Sequence, residues 1–345
     1  MTALTMPGRP AHDARLRPVP WRRMAWVTWR QHRAALGGVA AFLGAFAVYL
    51  WLTGLQMHHA EAAYCHPAGS IACGNMLSDF NIAYWPRAEA TAALLQAVPA
   101  LIGAFAGAPV LARELETGTF RYAWTQGLGR WRWTVAKLVL LAATVAAAAA
   151  AFSVLFSWYL SPFLADGQQT PFAPIVFDLR GIGFAAWTLA AFALGALAGM
   201  LIRRVVPAIA ATLAAWAGLA LAAGLYLRQH YLAPLITHHP AVDLPGSAWI
   251  ISQWYTGRNG KPLSQAAISQ ILQGYHPATR QIGPTTSQTT VNPVGYLAQH
   301  GYTNWLSYQP ASRFWPFQWI EGGWLLALSL LLIAATIWLV RRRAA

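Results

Sequence analysis

Acidic side chains are what this sequence has least of. Its 345 residues include ten Asp and Glu against 24 Lys and Arg, and charged residues of both signs make up only 10%, where a soluble domain carries roughly a quarter. So little charge excludes an ordinary solvated surface on every side. There is no GxxxxGK[ST] phosphate loop, so nothing here cradles a nucleotide in that way. No Ser/His/Asp spacing marks a nucleophile either.

Long apolar runs take the place of charge. The chain is 57% hydrophobic with 18 Trp and a mean hydropathy of +0.40, the composition of an integral membrane protein. A bilayer core takes about 20 apolar residues per helix, and six runs meet that length: 34–55, 90–111, 138–160, 182–202, 205–227 and 322–340. The expected fold is therefore all-α, with six transmembrane helices. Only Arg203 and Arg204 separate the fourth and fifth runs. Two arginines at a bilayer centre would cost about 2.5–3.5 kcal/mol each, so they mark a turn, with Pro207 in the first turn of the next helix. The first run begins after some 33 mostly polar residues and is too long for a signal-peptide core, which reads as an uncleaved anchor.

Orientation follows from the basic residues. With both termini in the cytoplasm, 17 of the 24 Lys and Arg fall inside, and seven of the ten acids fall outside, as the positive-inside rule requires. Topology thus accounts for the net charge of +14, and nucleic acid is not an expected partner. The location implied is a multi-pass plasma-membrane protein. The interiors of the six runs hold no Asp, Glu, Lys, Arg or His, with Lys137, Glu89 and Glu321 at their ends, which weighs against an ion- or proton-driven carrier.

Between the runs, residues 1–33 form a cytoplasmic tail. Its later part sets Trp21, Trp26 and Trp29 beside Arg30 and Arg33, suiting either an interfacial helix on the inner leaflet or a basic flank of the first span. Residues 34–345 then form the transmembrane domain. The outer segment 56–89 holds Cys65 and Cys73, eight positions apart among histidines. A disulfide is the simplest reading in an oxidising compartment, with free thiols or a metal site as alternatives. The large outer loop, 228–321, lies between the fifth and sixth helices. Within it LSQAAISQILQGY has helical periodicity, with Ser264 as N-cap, and the aromatic SRFWPFQWIEGGW reads as a belt or re-entrant element. Gly103-xxx-Gly107 and Gly195-xxx-Gly199 are spacings that allow close helix packing.

One cytoplasmic loop, 112–138, stands apart. It begins Arg113-Glu114, includes Glu116, reaches a break at Gly118-Thr119, and then places Phe120, Trp124 and Leu128 at i, i+4 and i+8, with Arg121 and Arg130 among them. A short amphipathic helix of this kind has the shape of a docking element.

RELETGTFRYAWTQGLGRWRWTVAKL resembles the "RE…GT…R…K" signature between the second and third helices of permeases of the type-2 ABC exporter family. The correspondence runs through Arg113, Glu114, Gly118, Thr119, Arg130 and Lys137. It departs at Gln126-Gly127-Leu128-Gly129, where the family more often has a proline. WVTWRQHRAAL, ALGALAGMLIRRVVPAIAATLA and YQPASRFWPFQWIEGGWLLAL resemble permeases of actinobacterial type. The resemblance implies a six-helix permease that pairs with a second permease, identical or related, and with two cytoplasmic ATPases that bind ATP and Mg; this chain would hold no cofactor. It further implies that 112–138 is the coupling helix, that Trp21–Arg33 is the connecting helix, and that the segment before the last span forms short outer helices. Glu114 and Glu116 would pair with the ATPase, or in cis with Arg113 and Arg121. The function implied is ATP-driven export of a drug-like, antibiotic, peptide or lipid-like compound. Two other readings are a sensor or resistance module built from the same subunits, and a membrane-embedded enzyme acting through the outer loop.

Overall fold

Six helices are long and apolar enough to cross a membrane: Gly37–Ala62, Asp79–Glu116, Arg132–Tyr159, Gly183–Ile202, Val205–His230 and Ala311–Arg342. They are called the first to sixth spans below. The computed structural model describes residues 21–64, 71–118, 130–165, 169–238, 246–276, 278–281, 287–290 and 293–343. These divide into two compact units. One holds the described residues up to Pro162, then Pro174–Arg228 and those from Gln318 onward; the other holds Phe163–Ala173 and Gln229–Phe317.

In the first unit, the stretch Trp21–Arg33, read from sequence as either an interfacial helix or a basic flank, is continuous with the first span. Trp21–Tyr64 is one helix of 44 residues, about 66 Å long at 1.5 Å per residue, roughly twice a bilayer core. No proline or cap interrupts QHRAALGGVAA, so the first span continues straight out of its basic flank. The second span is longer than expected and broken. It runs from within the helix Ile71–Leu95 through Val98–Ile102 and a π-helical turn at Gly103–Gly107 to Pro109–Glu116. Pro109 has no N–H to give to the preceding turn, and the helix widens instead, Ala108 N–H reaching back five residues to Gly103 O at 2.9 Å.

That π turn faces the fourth span at backbone distance. A Cβ built on Gly195 would lie 2.2 Å from Gly103 O, and one on Gly199 would lie 2.3 Å from Ala108 O. The two small-residue spacings seen in the sequence are therefore the two sides of one contact. Around it, Val110, Leu138, Phe192, Met200 and Val340 form one buried cluster and Trp187, Ala190, Ala223 and Leu325 another. The second and fourth spans bury most, 67% and 61% of their apolar windows, against 11% for the first and the fifth. The turn expected at 203–204 is present. Arg203 takes the left-handed conformation at φ 60°, Arg204 is extended, and the fifth span starts at Val205.

Contrary to the expectation from sequence, three charged side chains among the described residues are fully buried within spans, Lys137, Arg228 and Glu321. Glu321 belongs to a polar network, because the sixth span begins well before the expected Gly322. Its Oε1 accepts from Trp187 Nε1 at 2.9 Å and from Arg228 Nη2 at 2.7 Å, and its Oε2 accepts from Arg228 Nε at 3.0 Å. Arg228 also donates to Asp178 and lies over the Phe177 ring. One turn before Glu321, Gln318 accepts from Gly183 N–H, the first residue of the fourth span, and donates to Phe177 O. In low dielectric an unpartnered polar group is costly, and these carboxylate, guanidinium and amide groups offset that cost by bonding to one another.

The second unit corrects the all-α expectation. A three-stranded antiparallel sheet runs in the order β1 (Leu235–His238), β5 (Thr303–Gln309), β2 (Trp249–Thr256), and β3 (Ala278–Gln281) pairs with β4 (Ser287–Thr290). Trp254 and Trp305 stack across the central pair at 6.3 Å and 5°. The expected helix is there as Gln265–Leu272, and Ser264 accepts from Ala267 N–H as its cap. The segment before the last span does hold short helices, Gln265–Leu272 and Pro293–Gln299, but its final stretch is a strand. β5 leads through a single 3-10 turn, Ala311–Arg313, into the helix Phe314–Arg343. The aromatic crowd there divides: Phe314 and Phe317 pack edge-on against Phe172, while Trp315 is exposed.

The glycine contact gives the first prediction. Gly195→Ala and Gly199→Ala force a methyl into backbone, a strain of about 1–3 kcal/mol or more, and each should lower the melting temperature of the detergent-solubilised chain by several degrees. A Cβ added at Gly218 or Gly44 would meet nothing within 4 Å, so alanine there should leave it level or higher. Equal melting of both sets would refute the contact.

Candidate coupling site at the arginine-rich end

The second span ends where its sequence says stop. Thr117 closes the last turn, N–H and Oγ1 both donating to Arg113 O at 3.1 and 2.8 Å. Gly118 then takes φ +69°, a left-handed value that glycine adopts without strain. This turn points successive side chains of RELE in different directions. Arg113 and Glu116 are exposed, while Glu114 faces inward.

Glu114 meets the third span. Its Oε1 lies 2.7 Å from Lys137 Nζ, which also donates to Val110 O at 3.1 Å. The Lys137 side chain is 2% exposed and that of Glu114 14%, so this is a buried pair. Such a pair contributes little net stability, yet removing one member strands a charge. Physically, Lys137 is the reason for Glu114: a lysine inside an apolar helix needs a carboxylate, and the end of the second span provides it.

Glu116 reaches the fifth span. Its Oε2 accepts from Val205 N–H at 2.9 Å, at the first residue of a helix whose own N-cap, Arg204, makes no side-chain cap bond. A carboxylate there satisfies an orphan donor and complements the positive end of the helix dipole. Beneath it Ala108, Ala112 and Ala208 pack as one small-residue cluster. The two glutamates thus tie the end of the second span to the starts of the third and fifth. Arg113, Arg203, Arg204, Arg341 and Arg342 are exposed, on residues that begin or end spans around the Val110–Val340 cluster.

The sequence singles out these glutamates, and the structure supplies in-chain partners that it does not foretell. The pairing with Lys137 has one legible signal, a lone lysine in a run otherwise free of charge. Glu116 with a backbone N–H 89 positions away has none, and neither do Asp178, Arg228 and Glu321, which only tertiary packing brings together. Thr119, Phe120, Arg121 and Trp124 lie outside the described residues, as do Cys65 and the side chains of Arg130, Cys73 and Trp21. Trp26, Trp29, Arg30 and Arg33 are exposed on the long first helix, the Arg30 guanidinium lying 5.3 Å from the Trp26 ring.

The sequence profile described as "ABC-2 membrane transporter related" matches residues 40–228, more than half of the chain and five of its six spans. The match extends to the family and not to the actinobacterial type. No curated protein matches the chain, and no solved structure does.

The ion pair predicts an asymmetry between the glutamates. Glu114→Ala should destabilise the chain by about 3–5 kcal/mol, the cost of stranding a buried charge, and Glu114→Leu with Lys137→Met should recover most of that loss. Glu116→Ala should cost only about 0.5–2 kcal/mol, the range for a lost helix cap. Thermal melting of the wild type and these three variants reads this directly; equal losses for the two single alanine variants would contradict the assignment.

Proposed function

Because the chain belongs to the ABC-2 membrane transporter related family, we propose that it is the permease subunit of an ATP-driven exporter whose nucleotide sites are on separate ATPase subunits. The family match across five spans carries this reading. The sequence adds that no GxxxxGK[ST] loop is present, so the hydrolysing subunit is a partner. The arginine-rich end is the cytoplasmic one, as the positive-inside rule requires. Both termini lie on that side, and the sheet-bearing unit lies outside the plasma membrane.

The ATPase docks on the loop that follows Gly118, through Thr119, Phe120, Arg121, Trp124 and Arg130, with Arg113 beside it. Glu114 and Glu116 then act behind the docking surface. A push on the loop reaches the third span through Lys137 and the fifth through Val205, so three spans move together. A second permease copy would cover the first and fifth spans, which bury least in their own chain. The substrate class is apolar: a cavity of about 290 Å³ between the first and second spans is lined by Val39, Phe42, Leu43, Leu101, Ile102 and Phe105, a size within reach of a small ligand. The folded sheet of the second unit favours one variant of this reading, in which an envelope-active compound is sensed there by the same set of subunits.

Co-expressed with its cognate ATPase, the chain should co-purify with it in detergent. Replacing Phe120, Trp124 and Leu128 together by Ser should lower recovery of the ATPase at least tenfold, because aromatic anchors carry most interface energy, and should leave the chain's own melting temperature unchanged. Undiminished recovery would remove the docking assignment, and failure of the wild-type chain to bind any ATPase would remove the permease reading.

A further inference from the structure

Arg228 is shared by two carboxylates. Glu321 takes Nε and Nη2 in a two-point bond and accepts from Trp187 as well; Asp178 competes for the same Nη2. One cation and two anions leave a net charge of −1. The side chains of Arg228 and Glu321 are 1% and 0% exposed, while that of Asp178 is 21% exposed. An excess charge in such a place is costly, and the least costly remedy is a proton. The proton belongs on the acid that reaches solvent and has fewer competing donors.

We propose that Asp178 is a proton-binding site, and that its proton decides whether the crossover between the third and fourth spans stays tied to Arg228 and Glu321. With the proton bound, the three groups sum to zero and Asp178 still accepts from Arg228. Once it leaves, two carboxylates repel across one nitrogen, and Asp178 is the member free to swing outward. Glu321 is held by a rigid helix and by Trp187. Asp178 follows only the short helix Pro174–Phe177 and precedes Gly181 at φ +58°. Gln318 on Phe177 O and Ser153 on Gly181 O flank it, so the release is confined to the few residues between those anchors.

The charged groups meeting Asp178 are Arg228 at the end of the fifth span and Glu321 on the sixth. Arg180 follows on its own segment, and burial lowers its guanidinium to about 10. The second and fourth spans present neutral Gln96 and Trp187, which line with Asp178 a cavity of about 10 Å³, near the size of one water. Burial pushes the Asp178 carboxyl up to about 7, Arg228 opposing the rise and Glu321 adding to it. The folded chain therefore holds a proton that the unfolded chain has lost between about pH 4, the ordinary aspartate value, and about pH 7. Stability from this group falls as pH rises through that window and is level above it.

The device belongs to the chain alone, so its test needs no ATPase and its outcome is independent of the permease reading. The full-length chain in nanodiscs is titrated from pH 5 to 9 by infrared difference spectroscopy, with melting temperatures measured in parallel. A protonated carboxylic-acid band should disappear near pH 7 in the wild type and be missing from Asp178→Asn. The wild-type melting temperature should fall by several degrees from pH 5 to 7, and that fall should be lost in Asp178→Asn. Glu321→Gln, which leaves one acid facing Arg228, should move the band's midpoint down by at least one pH unit. The proposal is overturned if the wild type shows no such band, if the band survives in Asp178→Asn, or if Glu321→Gln leaves its midpoint in place. If Asp178→Asn does not fold, the wild-type and Glu321→Gln titrations decide.

Discussion

The backbone contact between the π turn Gly103–Gly107 and the fourth span is the constraint from which the first unit follows. A Cβ at Gly195 or Gly199 would fall at 2.2–2.3 Å from a carbonyl oxygen, so the approach is open to glycine and to no other residue without displacement. Within a bilayer, where apolar burial between helices gains little over lipid, such closeness is what dispersion and packing require. The contact also fixes the second span in register. Pro109–Glu116 follows the π turn across the single helical residue Ala108, so the register set at Gly103 determines which way Glu114 and Glu116 point. A helix one residue out of phase would turn Glu114 by about 100° away from Lys137.

At the arginine-rich end, Glu114–Lys137 and the Glu116 cap bind three span termini together. Through Glu321 on the sixth span, Glu321–Arg228–Asp178 does the same for the end of the fifth span and the crossover before the fourth. Neither cluster is an efficient source of stability, since apolar replacements of buried pairs are often neutral or better. Their value is directional. A charged hydrogen bond has one geometry where an apolar contact has many, and these bonds specify which helix ends are tied to one another. The π turn Ala223–Leu227 and the 3-10 turn Arg228–His230 serve that geometry, placing Arg228 on Glu321 at a point where an unbroken α-helix would rotate it elsewhere.

The number of spans is legible in the sequence, because apolar runs interrupted by charge are a one-dimensional signal. The Arg203-Arg204 turn, the glycine at 118 and the Ser264 cap are legible for the same reason: each is decided by residues within one turn. What is not legible depends on partners far along the chain. The sheet of the second unit pairs Leu235 with Tyr308 and Trp249 with Gln309, and its strands are too short and too mixed in polarity to show a period of two. The sixth span starts earlier than its apolar run because Gln318 and Glu321 break that run, although each is satisfied by bonds more than 90 residues away. In the candidate site the residues can be named from sequence, whereas the direction each side chain takes cannot.

Coupling of these helix ends to ATP hydrolysis requires that the arginine-rich end be the face that meets an ATPase. Photo-crosslinking places that contact most directly: a photoreactive amino acid is introduced at position 120 or 124, and separately at position 258 in the sheet-bearing unit, in cells that also make the cognate ATPase. Crosslinks to the ATPase from 120 or 124, changed in yield by nucleotide and absent from 258, are the predicted result. Crosslinks from 258, or none from 120 and 124 in a chain that is correctly inserted, would contradict this assignment of the docking face.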